Sequence, residues 1–194
     1  RGFKRHISSN WLETDLRLEI TALHHPASIL KFWFDDIEHS LWFKKDDDFD
    51  QLLIERFSEL HTQATQGELH TWRESALGRL AEIIVIDQFS RNMFRNSAKA
   101  FAQDGMALVL AQEAIRTGDD LKLNSSERSF LYMPFMHSES LAIHEMAVDL
   151  FTQNGVQGNL NFELKHKEII EQFGGYPHRN GVLGRTSTSA EIEF

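Results

Sequence analysis

The stretch from Leu77 to Phe94, LGRLAEIIVIDQFSRNMF, limits the fold of this chain more than any other. It has helical spacing, and its middle turn, around Ile83 to Ile86, is apolar on nearly every face. A helix that is apolar all round has to be covered on all sides by other elements. The IIVI run is far too short to span a bilayer. The cover must therefore come from the rest of the chain.

The surrounding segments also read as helix. PASILKFWFDD places Pro26 in a first-turn position and carries Ile29, Leu30, Phe32, Trp33 and Phe34. DDDFDQLLIERFSELHTQATQG opens on acids, repeats Phe49, Leu53, Phe57 and Leu60 at steps of three and four, and stops at Gly67. SAKAFAQDGMALVLAQEAIRTG follows, then SSERSFLYMPF ending near Pro134, then SESLAIHEMAVDLFTQNG. NFELKHKEIIEQFGG ends on glycine, and Thr188 to Glu191 carries a capping-box signal for a last short helix. No strand pair and no low-complexity segment is present. The pattern predicts an all-α fold, an irregular bundle or stack of helical hairpins. Residues 26–194 form one domain, since 194 residues lie near the upper end for a single core. Residues 1–25 form an N-terminal extension with no assigned role.

Charge and composition remove several function classes. Lys and Arg total 20 against 29 Asp and Glu, a net charge of −9 that repels phosphate backbones, so nucleic acid is not an expected partner. The basic start RGFKR reads as a frayed tail. With no cysteine there is no disulfide, thiolate nucleophile or cysteine-held metal, which fits the cytoplasm. No membrane segment is expected.

Most local motifs fail on their chemistry. The acids Asp46 to Asp50 are not a calcium loop, because Gln51 replaces the turn glycine and Phe57 the bidentate glutamate. HEMAV at His144 lacks the second histidine of HExxH, Val148 standing in its place, and no nucleotide-binding glycine motif precedes a helix. Ser187 and Ser189 read as capping residues. Neither metal nor cofactor is expected.

Two polar stretches remain. DQFSRN continues the most apolar helix, so Asp87, Gln88, Arg91 and Asn92 enter or border the interior, where polar groups must find partners. Asp87 and Arg91 are spaced to pair one turn apart. FGGYPHRN, from Phe173 to Asn180, places His178, Arg179 and Asn180 side by side in a glycine-flanked loop. His166 falls in step with Phe162, Ile170 and Phe173, which predicts that it points inward.

ILKFWF, WFKKDDDFD, GRLAEIIVIDQFSRNMFR, AFAQD, MPFMHSESLA and FGGYPHRNGVLGRTST, in this order from about Ile29 to the C-terminus, resemble the bacterial family known as domain of unknown function 924. The resemblance implies a tetratricopeptide-like helical fold and supplies no reaction. Its matching positions are Asp87, Gln88, Arg91 and Asn92; Pro134, His137, Ser138 and Glu139; His166; and Pro177, His178, Arg179, Asn180, Gly184 and Arg185. The chain departs from the family pattern at Gly175, where relatives usually carry Arg, and at Tyr176, where they carry Phe. Loss of that Arg would weaken anion binding if it contacts an anion.

The leading expectation is a site for a small anionic molecule between the end of DQFSRN and the PHRN loop. Asp87, Gln88, Arg91, Asn92, His166, Arg179, Asn180 and Arg185 would bind it, the arginines through forked hydrogen bonds. His137, His178 and Glu139 are the candidate acids and bases, which suits acyl or phosphoryl hydrolysis. The rival is a helical-hairpin scaffold for a peptide or protein partner, with the polar cluster as bracing. Arg179 is expected to be partly exposed, so that Arg179→Ala shifts stability by less than about 1 kcal/mol; if buried instead, it would pair with an acid such as Asp87.

Overall fold

A computed structural model describes residues 24–194, and the predicted N-terminal extension lies mostly outside these residues. Helix α1, Pro26–Lys31, runs directly into a π-helical turn, Phe32–Asp36. Helix α2 spans Asp47–Thr65, capped by the Asp46 side chain, which accepts from the Phe49 N–H. The central rod comprises α3, Ala76–Ile84, a π-helical turn, Val85–Phe89, and α4, Ser90–Met93. Helix α5 spans Asp104–Arg116, α6 Ser125–Met136, α7 Leu141–Asn154 and α8 Gln157–Phe173. Two short helices close the chain, α9 at Asn180–Leu183 and α10 at Ser189–Glu193, the latter with the predicted Thr188–Glu191 capping box. There is no strand among the described residues.

The rod is buried, as its composition demands. Leu80, Ala81, Ile83, Ile84, Val85, Ile86 and Phe89 all lie in the core, packed by α1, α2, α5 and α6. Burial of such side chains contributes about 1.5–3 kcal/mol each, which is what draws the surrounding amphipathic helices onto the rod. Gly78 is required at its start, because a Cβ there would lie 1.9 Å from the Trp72 carbonyl oxygen. Phe89 of the rod joins Trp33, Phe49, Phe57 and Phe130 in an aromatic cluster. The aromatics of ILKFWF therefore serve packing: Phe32 and Trp33 are buried.

Helices α7 and α8 form a hairpin turned by Gly155, which sits at φ 76°, and α7 packs on α6. The six longer elements begin at residues 47, 76, 104, 125, 141 and 157. These starts share no fixed interval of the kind a repeat array needs.

Helix α6 ends near Pro134 as expected, two residues past it, and the proline forfeits one ladder bond. Two local expectations change. The segment from Ser97 is broken: a 3-10 turn at Ala98–Ala100 precedes α5. On α8 the buried face carries Glu163 and Ile170, while Phe162 is exposed and His166 half-buried. A fully buried glutamate is tolerated there because the His144 Nδ1–H donates to it at 2.6 Å.

Candidate functional site

The π-helical turn shapes the site. It carries Asp87 and Gln88, both buried, and Asp87 meets His137 at the end of α6. Asp87 is fully buried and accepts three side-chain donors: His137 Nδ1–H at 2.8 Å, Gln88 Nε2 at 2.7 Å and Arg91 Nη1 at 3.1 Å. Burial acts to raise its carboxyl pKa, but Arg91 and His137 outweigh it and hold the group at about 2.

Arg91 and Arg179 share one acid. Arg91 forks onto Asp104 at the start of α5, with both contacts at 2.9 Å, and Arg179 Nη1 reaches the same carboxylate at 3.1 Å. Arg179 Nη2 donates to the His137 carbonyl, and its guanidinium lies between the rings of Phe101 (4.4 Å) and Tyr176 (4.6 Å). Only 5% of Arg179 is exposed, so the expected partly exposed loop cation is in fact buried, and its acid is Asp104 instead of Asp87. Its Nε–H is buried with no acceptor among the described residues.

These side chains open onto a cleft of about 370 Å³. Arg91, Arg95 and Arg179 line it together with His137, His166 and His178, and no carboxylate lines it. The acids stand behind: Asp87 and Asp104 as described, and Asp50 behind Arg95, which it receives in a two-point contact. Each acid orients a guanidinium while leaving hydrogen-bond donors at the surface of the cleft. Burial, with the nearby arginines adding to it, depresses the pKa of all three histidines despite the acids nearby, so they are neutral at pH 7.

The histidines differ in their bonds. His137 gives its Nδ1–H to Asp87, which fixes the tautomer and leaves Nε2 as a basic lone pair with no partner among the described residues. The His166 Nδ1–H donates to the Phe162 carbonyl, and its ring stands edge-on to Tyr176. His178 lies against Phe101 and Tyr176.

Five of the predicted side chains thus line the cleft: Arg91, His137, His166, His178 and Arg179. Asp87 stands behind them, and Gln88 lines a neighbouring pocket. The others are held elsewhere. Asn92 donates to Asp50, and Asn180 donates to Ser187 and Glu191 near the C-terminal helix. Glu139, expected as an acid or base, accepts a two-point contact from Arg185 and the Tyr176 N–H. That pairing occupies Arg185 as well, and it holds Glu139 below the usual carboxylate range even though burial works against it. A Cβ at Gly175 would lie 3.1 Å from Glu139, and Gly175 does not line the cleft. Sequence reasoning missed Arg95, Phe101, Tyr176 and Asp104. AFAQD was the available signal for two of these, Phe101 and Asp104. Among the described residues no group of histidines and acids is arranged to hold a metal ion.

A family model matches residues 29–194. The chain belongs to the family described as Bacterial protein of unknown function (DUF924). It is similar to the solved structure of a protein of unknown function from Agrobacterium tumefaciens, at 39% identity and a TM-score of 0.83, covering 89% of this chain and 96% of that one. No curated protein matches the chain. No helix of the described residues is long and apolar enough to cross a membrane.

Proposed function

We propose that this DUF924 member binds a small anionic molecule, a carboxylate or a phosphate, in the cleft between the end of the central rod and the PHRN loop, and does so in the cytoplasm. One observation carries the reading: three arginines and three histidines line the cleft, and no carboxylate does. The acids Asp104 and Glu139 line an adjoining pocket that shares Phe101, His137 and Arg179 with the cleft, so the absence of carboxylates is a property of this cleft and not of its neighbour.

His137 adds a chemical capacity. Held by an ionised Asp87 with Nε2 free, its neutral form can take a proton from a water or hydroxyl and its charged form can return one, a capacity that acyl or phosphoryl hydrolysis can use. The scaffold reading is supported by the other half of the cluster, because Asn92, Glu139, Asn180 and Arg185 are braces. The two roles coexist: the braces fix the loop that carries His178 and Arg179.

Thermal melts in sulfate, phosphate and acetate, against chloride at matched ionic strength, test the proposal. A ligand at about 100 times its Kd stabilises by about 2.7 kcal/mol. The expected result is a rise in Tm with each anion beyond chloride, smaller in Arg95→Gln. Equal melts in all four salts would sink it.

A further inference from the structure

Beside the cleft lies a second space of about 260 Å³ with different chemistry. Its walls include Trp42, Phe43, Met133, Met136 and Phe162, yet it shares Arg91, His137 and His166 with the polar cleft. The two spaces meet at those three side chains. Phe43 and Phe162 come from different elements and remain 69% and 58% exposed, large apolar surfaces that packing has left uncovered. Methionines form the floor, and their unbranched side chains adapt to varied apolar shapes.

We propose that the ligand is amphipathic: a small molecule whose anionic head sits among Arg91, Arg179 and His137 and whose apolar tail lies between Phe43, Phe162 and the two methionines. The inference rests on the anion reading above and adds the substrate class. Together the spaces suit a small molecule, since such sites usually measure about 300–1,000 Å³ and pair an apolar wall with a few convergent polar groups. A purely inorganic anion would leave the aromatic wall without a role. A purely apolar ligand would leave the guanidinium donors unmet.

Titration calorimetry of the full chain with inorganic phosphate, acetate, octanoate and octanol separates the possibilities. Each methylene removed from water tightens binding by about fourfold, so three in the pocket give octanoate about fiftyfold over acetate. Phe162→Ser, at an exposed position, should reduce that ratio about tenfold and leave phosphate affinity unchanged. Phe43→Ser repeats the test from the opposite wall. If phosphate binds but octanoate is no tighter than acetate, the tail pocket is refuted and the anion cleft stands. If octanol matches octanoate, head and tail are not read together and the inference falls. If phosphate, acetate and octanoate all fail to bind, it falls with the reading beneath it.

Discussion

Arg179→Ala removes a buried cation of the site, and the structure allows its cost to be worked out. The losses are an ionic hydrogen bond to Asp104, a bond to the His137 carbonyl and stacking on Phe101 and Tyr176. Hydrogen bonds to charged groups contribute about 1.5–3 kcal/mol, and each cation–π contact about 0.5–1. Three effects oppose these. Asp104 keeps its fork from Arg91, so no uncompensated buried carboxylate remains. Repulsion between Arg91 and Arg179 disappears, and the desolvation of the guanidinium with its unpartnered Nε–H is recovered. The net loss is about 2 kcal/mol, below the roughly 3–5 of breaking a buried pair and above the 1 kcal/mol expected of an exposed loop residue. Urea melts measure it as a fall in midpoint at unchanged slope. A loss of about 4 kcal/mol or more would mean that Arg91 does not compensate Asp104. No loss at all would mean that Arg179 is not held as described. Sulfate should also stabilise the variant less than the wild type.

Asp87→Asn puts an amide donor among three donors and leaves Arg91 short of a charge, so urea melts should show a loss of about 3–5 kcal/mol. Tyr176→Phe removes a hydroxyl that donates to the Met136 carbonyl at 2.5 Å; the expected loss is about 1 kcal/mol with anion affinity unchanged, and a collapse of binding would give that hydroxyl a ligand role. Burial keeps His137, His166 and His178 below their ordinary value of 6.5, so below that pH the unfolded chain binds more protons than the folded one. Stability of the ligand-free protein should therefore be intact above about pH 6.5 and fall as the pH drops below it; a flat profile would contradict the burial of these rings. A chelator should leave the melting temperature where it is; a drop would reveal a metal site.

The all-α fold could be read from spacing because apolar side chains recur at helical intervals and the one segment that breaks the pattern, Ile83 to Ile86, sits where all faces are covered. Its polar continuation located the site for the same reason: Asp87 and Arg91 stand at the end of a buried rod and have to be paired. The exact partners were hidden by distance along the chain. Asp104 and Arg179 meet across 75 positions, and Asp50 turns in from a run of acids that first-turn preference already explains. The buried face of α8 was misread because Glu163 looks like a surface residue until His144 is placed against it. The π-helical turns have no signal in apolar periodicity, yet one of them carries Asp87, the partner of His137.

Sulfate titration by calorimetry tests the anion cleft most directly, because sulfate stays fully ionised and any proton taken up belongs to the protein. Run in two buffers of different ionisation enthalpy, the experiment counts those protons. An anion among His137, His166 and His178 draws them towards their charged forms, so sulfate should bind with net proton uptake and more tightly at about pH 6 than at about pH 8. Binding without proton uptake, or no binding at either pH, would contradict the account.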